Sequence, residues 1–240
     1  MTPDDERPGQ PRTIGVLNES SLHADLKAWC AIPGDEMEVE VEQFVIDIVR
    51  GDTLIEVQTG NFGAIRNKLN RLVRQHRVLV IYPIAQQKHL VYVDPATHEV
   101  VRRRKSPKQG HLADVFQALV RIPTLLREPN FSLQVVFTHE EEVRCVDDQR
   151  RRRRRRPQVL DRRLIRVVEQ VRFDTVRDLL RLLPQDLPGP FTNRALAQQM
   201  GISIHIARKM TYSLRKLGLV RQVGKERRAF LFELIQEASD

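Results

Sequence analysis

The chain has 240 residues, 41% hydrophobic and 30% charged, with a formal net charge of +9. That length allows two small domains, each with a core of its own. No apolar run approaches the ~18 residues a membrane span needs, so a membrane protein built on helices is excluded. Residues 1–12 (MTPDDERPGQPR) are polar and carry three prolines, and they read as a disordered leader rather than a signal or transit peptide. Cys30 and Cys145 lie far apart with no zinc-type spacing, which points to a reduced, cytoplasmic chain.

The charge is divided unevenly. Residues 1–149 hold 18 Lys/Arg against 22 Asp/Glu, and residues 150–240 hold 22 against 9. The second part therefore has the electrostatic footprint of a phosphate-backbone binder, a basic surface without a ligand being the plain alternative.

In chain order, residues from about Gly15 to Cys30 suggest a helix, with Leu22, Leu26 and Trp29 at i, i+4 and i+7. Residues 36–42 (EMEVEVE) alternate as a half-buried strand, with Met37, Val39 and Val41 on one face. FVIDIV and TLIEVQ follow as two strands around Arg50-Gly51-Asp52. Helical spacing returns over Ala64–Arg74, with Lys68 and Arg71 on a solvated or phosphate-facing side. VLVIYPI (78–84) reads as a buried central strand, and HLVYVD and the stretch near Val100 as further strands. A helix near 111–121 and a strand near 131–137 complete a mixed α/β (α+β) domain, residues 13–147, whose β-sheet is flanked by helices.

Seven consecutive arginines, Arg150–Arg156, then Pro157, read as a solvated linker (148–157) that either clamps phosphates or merely tethers. Beyond it, the spacing of Leu160, Leu164, Val168 and Val171 predicts a helix over 158–172. A second helix is expected over 174–183, capped by Asp174, and a third from Asn193 to Met200, closed by Gly201. A fourth, capped by Ser203, runs to Leu217. Strands near 220–223 and 229–233 finish a mostly α unit, residues 158–240.

The strands at 44–58 carry the sharpest signal. With Gly51-Asp52 as a two-residue type II′ turn, Arg50 pairs with Thr53, Val49 with Leu54, Ile48 with Ile55, and Asp47 faces Glu56. Two carboxylates then meet across apolar strands at ~5 Å. Either one is protonated, or a cation sits between them, and oxygen ligands favour Mg2+ or Mn2+. The bland reading has both acids reaching water or pairing with basic residues such as Arg66.

Helix with Glu19, strand with Asp47, hairpin into Glu56-x-Gln58, then a basic helix resembles the restriction-endonuclease-like, PD-(D/E)XK nuclease superfamily over residues 14–95. The resemblance implies Asp47 and Glu56 as metal ligands, Glu19 as a direct or water-mediated contributor, and metal-activated water attacking a DNA phosphodiester. It implies Gln58 where that family carries lysine. Glutamine has no charge and orients only by hydrogen bonds, so the departure bears on activity rather than fold. His23 lies one turn from Glu19 and either approaches the site or is an ordinary surface histidine. Thr59-Gly60-Asn61 either brings backbone near DNA or is a plain turn.

Residues 191–233 resemble a winged helix-turn-helix domain, with Ile206, Met210, Leu214 and Leu217 inward. The resemblance implies DNA contacts from Arg208, Lys209, Tyr212, Arg215 and Lys216 on the recognition helix, beside His205, and from Lys225, Arg227 and Arg228 with Gly224 at the wing. The leading expectation is a Mg2+-dependent DNA endonuclease with a winged helix for binding. The alternatives are a catalytically inactive nuclease-fold regulator or genome-maintenance factor, and an interaction module docking through the acidic strand 36–42. Members of the nuclease superfamily often act as homodimers, but no residue marks an interface.

Overall fold

The computed structural model describes residues 20–145 and 157–235. Helix α1 (Ser21–Cys30) leads into a meander of β1 (Glu36–Val41), β2 (Phe44–Arg50) and β3 (Thr53–Val57). Helix α2 (Arg66–Leu72) crosses to β4 (Arg77–Val93), which runs parallel to β3. Strand β5 (Val100–Lys105) turns back along the far half of β4. A 3-10 turn, Leu112–Val115, opens the short α3 (Phe116–Leu119), and β6 (Phe131–Cys145) and β7 (Gln158–Phe173) follow. The sheet order is β1-β2-β3-β4-β6-β7, with β5 paired to β4. Strands β3, β4 and β6 are mutually parallel and their neighbours antiparallel, so the sheet is mixed, and helices flank both faces as expected.

The two faces bury different sets. Leu22 and Leu26 of α1 close over Ile48, Ile55, Leu79 and Ile81. On the other face, Leu69 and Leu72 of α2 and Phe116 and Leu119 of α3 cover Leu54, Val78, Val80 and Phe131. Full burial of each such side chain is worth roughly 1.5–3 kcal/mol, which fixes the position of both helices on the sheet. Trp29, expected inward, is 38% exposed because α1 turns it past the sheet edge towards β7.

Several expectations are corrected. The apolar run 78–84 and the strand after it are one 17-residue strand, continuous through a register shift between Ala85 and Gln87. The segment 158–172, expected as a helix, is β7, paired antiparallel along β6 from Cys145↔Gln158 to Leu133↔Phe173. Three register shifts in that ladder change which residues face inward. Its apolar positions therefore lose strict alternation and mimic helical spacing. The sheet domain consequently continues to Phe173, and Arg150–Arg156 stands between two strands of one sheet rather than between domains. The arginines themselves, the leader and Glu19 lie outside the described residues. The 174–183 segment is a 3-10 helix, Val176–Leu182, capped by Thr175 and Asp178 rather than by Asp174.

The remainder follows the expected boundaries closely. Strand β8 (Phe191–Thr192), α4 (Asn193–Gln199), α5 (Ile204–Lys216), β9 (Val220–Glu226) and β10 (Ala229–Leu234) build a small three-stranded antiparallel sheet, ordered β8-β10-β9, beside two helices. Gly201, at φ +63°, makes the turn between α4 and α5, and the Ser203 hydroxyl accepts the Ile206 N–H at 3.3 Å. Ile206, Met210, Leu214 and Leu217 are buried. Helix α5 packs on α3, and one apolar cluster runs from the large sheet into this unit.

Candidate functional site

The hairpin pairs as the sequence predicts: Arg50 with Thr53, Val49 with Leu54, Ile48 with Ile55. Gly51 has φ +56°, and Asp52 is not among the positive-φ residues, which suits a type II′ turn. The ladder then stops short of Asp47 and Glu56, so their expected pairing is not made. The Val57 N–H donates instead to Asp47 Oδ2 at 2.8 Å, so a side chain takes the backbone donor. Strand β2 also turns over here: Ile46 joins the core under α2, whereas Ile48 joins the core under α1. Residues two apart in a regular strand would share a face.

A third acid joins this row. On β1, Met37 pairs with Ile48 and Val39 with Ile46, which leaves Glu38 opposite Asp47 without a ladder pairing. Glu38 has φ +55°, a left-handed conformation uncommon for a residue with a Cβ. Glu38, Asp47 and Glu56 thus occupy corresponding positions on three adjacent strands, at a common break in the sheet. Sequence reasoning missed Glu38, although counting back from Glu42-Gln43, a turn with φ of 48° and 70°, would have placed it opposite Asp47.

Basic side chains from both helices face the row. His23 Nε2 lies 3.2 Å from Asp47 Oδ1, and Lys27 Nζ reaches Glu38 at 2.7 Å and Asp47 at 4.0 Å. His23 therefore does approach the site. Lys68, expected on a solvated face, is turned inward: its Nζ lies 2.5 Å from Glu56 Oε1 and donates to the Val45 carbonyl. The ammonium thus sits against a carboxylate oxygen that is itself buried, Glu56 being 4% exposed. Arg71 pairs outside the site with Glu42 at 3.2 Å.

These surroundings drive the two central carboxyls apart. Burial pushes Asp47 up, but the His23 hydrogen bond, the Val57 N–H and the charges of His23 and Lys27 outweigh it and hold the group below its ordinary range. Burial pushes Glu56 up and prevails over the hydrogen bond and charge of Lys68, with Asp47's charge adding to the rise. One acid is held ionised and its neighbour is proton-retentive, a split common at sites of acid–base or metal chemistry.

Gln58 donates its N–H to the Ile81 carbonyl at 2.8 Å, and its Oε1 accepts the Gly60 N–H at 3.1 Å. Asn61 Oδ1 accepts the Gly63 N–H at 2.8 Å, so side chains brace the backbone over 58–60 and again over 61–63, directly after the acids. Among the described residues, no group of three or more His, Cys, Asp or Glu side chains is arranged for a metal ion. Asp47 and Glu56 still offer the hard oxygen donors that suit Mg2+ or Mn2+, with the Lys68 ammonium against Glu56 Oε1.

A groove of ≈ 490 Å³ opens beside the turn, lined by Gly60, Asn61, Tyr82, Gln117, Arg121 and Lys209. It links the acid-bearing sheet to α5. On α5, Arg208, Tyr212, Arg215 and Lys216 are exposed with His205, and Lys209 is half-buried at the groove. Lys216 Nζ sits 6.0 Å over the Tyr212 ring, and Arg215 5.9 Å over Phe232. At the β9–β10 turn, Lys225 lies 4.9 Å over Phe230, with Arg227 and Arg228 exposed. Arg121 was missed because nothing in its local sequence sets it apart; only the α3–α5 packing brings it to this groove.

The described residues thus form a mixed α/β protein in which a helix-flanked sheet continues into a smaller helical unit, and none of their helices is long and apolar enough to cross a membrane. Residues 20–174 match the family described as a domain of unknown function (DUF8091), and the chain belongs to that family. The match ends one residue after β7, in agreement with a sheet domain that runs through the arginine segment. An uncharacterized protein of Treponema pallidum (strain Nichols) is 31% identical over 223 residues, covering 92% of this chain and 87% of its own. No solved structure matches.

Proposed function

We propose that the protein is a divalent-metal-dependent DNA nuclease, with Asp47 and Glu56 as its metal acids and the α5 unit as its DNA-gripping part. The observation that supports this most is the broken ladder at Asp47 and Glu56, two carboxyls with opposite proton affinities, followed in the chain by Gly60 and Asn61, which line a groove leading to Lys209. The order α1, meander, α2, β4 agrees with the resemblance to the PD-(D/E)XK superfamily, and β8–α4–α5–β9–β10 agrees with a winged helix.

In this reading, Asp47 and Glu56 hold Mg2+ or Mn2+, which when bound lowers the pKa of water and stabilises charge on the phosphate. Asp47 is the ligand whose ionised form is favoured, oriented by the Val57 N–H and His23. Lys68 supplies from α2 the ammonium that position 58 lacks, placed against Glu56 where developing phosphate charge needs a cation. Gln58 shapes the Gly60 turn and so the groove floor. Lys209, Arg208, Arg215, Lys216, Lys225, Arg227 and Arg228 hold backbone phosphates, and Tyr212 packs beside them.

A second reading, a nuclease fold without catalysis, is favoured by Gln58, whose Oε1 is committed to its own loop. Supercoiled plasmid incubated with protein and Mg2+ or Mn2+ decides between them. Nicking lost in both Asp47→Ala and Glu56→Ala, with DNA binding retained, is expected. Uncut DNA bound equally by all three proteins would leave a DNA-binding regulator. Absence of DNA binding at low salt would leave an interaction module.

A further inference from the structure

Beyond the acid row, the sheet holds a second charged cavity of ≈ 240 Å³ whose wall includes Tyr82, Lys88, Lys108, Asp114, Arg144 and Arg162. Tyr82 and Gln117 line both this cavity and the groove at Gly60, so the two are neighbours. Its floor is built on fully buried Glu140, whose Oε1 accepts the Thr138 hydroxyl at 2.7 Å and whose Oε2 accepts Arg162 at 2.8 Å. Glu142 in turn takes Lys88 at 2.8 Å and Arg144 Nε at 2.7 Å. These carboxylates hold each cation in place without using all of its donors, and Lys88, Arg144 and Arg162 all line the cavity. Burial holds the Tyr82 phenol protonated, against the charge of Arg162, so it is a donor as well. Lys108 stands exposed at the rim.

The four cations exceed the two wall carboxylates, Asp114 and Glu142, even with Glu140 behind them. Pro83, Ile84 and Leu90 add an apolar wall. Next to the opening, β5 presents Arg102, Arg103, Arg104 and Lys105, every residue of that strand being exposed. Gly110 closes the cavity at a point where a Cβ would stand 2.4 Å from Ile84 Cγ2 and 2.7 Å from the Ala85 carbonyl oxygen, so only glycine lets the loop lie flush.

We propose that this cavity binds a phosphate group presented by a nucleic-acid strand, holding a nucleotide away from the acid row while β5 follows the backbone. Pre-positioned cations on buried carboxylates, a protonated phenol and an apolar wall match a phosphate with its attached nucleoside. The proposal rests on the nucleic-acid reading above but does not need catalysis, and its test is separate from the nicking assay.

The experiment measures acylation of Lys88 and Lys108 in the full-length protein by mass spectrometry. The probes are inorganic phosphate and a short single-stranded oligonucleotide, with and without a terminal phosphate. Inorganic phosphate and both oligonucleotides are expected to protect the two lysines, the oligonucleotides at far lower concentration. Lys108→Ala combined with Tyr82→Phe, which keeps the ring and the buried ion pairs, is expected to weaken oligonucleotide binding about tenfold, with an unchanged circular-dichroism spectrum. Protection by inorganic phosphate alone would overturn the strand assignment and leave a free-anion site. Protection by neither, or oligonucleotide binding that the folded double variant retains in full, would overturn the proposal. Loss of nicking in the acid variants bears on neither outcome.

Discussion

Lys68 shows how one side chain can reverse the reading of a site. On sequence it belongs to the polar side of an amphipathic helix, with Arg66 and Arg71. In the fold its ammonium is the counter-charge of Glu56, with side chains only 15% and 6% exposed. The helical period fixes the direction in which a residue leaves its helix, but not whether a long side chain bends back under it. Lys68→Met is expected to destabilise the protein by about 2–4 kcal/mol at pH 7.5, because it strands a buried carboxylate. The loss has a definite pH dependence. Burial raises the folded Glu56 carboxyl, so its contribution is fully present below its unfolded value of ~4.3 and is lost as pH rises through the folded one. Without Lys68 that folded value rises further, and the destabilisation shrinks as pH falls towards ~4.5. Urea unfolding at both pH values checks this, and an equal loss at each would show that Glu56 is not the partner that matters.

At the scale of elements, the hairpin was legible and β7 was not, for one reason. The β2–β3 turn is local: Gly51 sets the bend, and three ladder pairs follow by counting. Strand β7 finds its partner across residues 146–157, and three register shifts blur its alternation, so no window of its own sequence shows the pairing. The site is divided in the same way. Asp47 and Glu56 were readable from the hairpin, whereas the His23, Lys27 and Lys68 contacts come from helices placed by burial. The end of α1 has a comparable tie. Arg50, last residue of β2, donates to both Asp35 oxygens at 2.9 and 2.8 Å and to the Cys30 carbonyl at 2.8 Å, which fastens the helix terminus to the hairpin. The Arg50 hydrogen bonds and the Ile32 N–H hold the Asp35 carboxyl down to about 2. A depressed carboxyl contributes stability above its unfolded value of ~3.9 that is lost as pH falls through the folded one. Asp35→Asn is expected to lower Tm at pH 7, and the gap from wild type is expected to close between pH ~4 and ~2. Thermal melts across that range test it, and a gap that persists at pH ~2 would assign the effect to something other than this charge.

For the whole molecule, the sequence suggests two bodies joined by an arginine linker, and β7 removes that division. The charge is redistributed accordingly. Of the 22 basic residues after position 149, seven are in the arginine run, four are on β7, and 11 fall in 175–240 against six acids there. Much of the basic charge thus belongs to the sheet domain, which already carries the second cavity and β5. Packing gives the same picture. One apolar cluster includes Val80 of the central strand, Phe116 and Leu119 of α3, and Met210 and Leu214 of α5. Separating the C-terminal unit would expose both sides of that contact at roughly 25 cal/mol per Å² of apolar surface, a loss that neither small part has the core to absorb easily. The protein is therefore expected to unfold in one transition. Trp29, the single tryptophan, reports on α1 at the opposite face of the sheet, while far-UV circular dichroism reports on all the described helices, about half of whose residues lie in α4 and α5 of the C-terminal unit. Coincident urea midpoints by the two signals are the expected result. Loss of helical signal ahead of the Trp29 change would mean that the α5 unit opens alone. The groove between Gly60 and Lys209 would then be a hinge, and the DNA contacts proposed for it would have to be counted separately from the acid row.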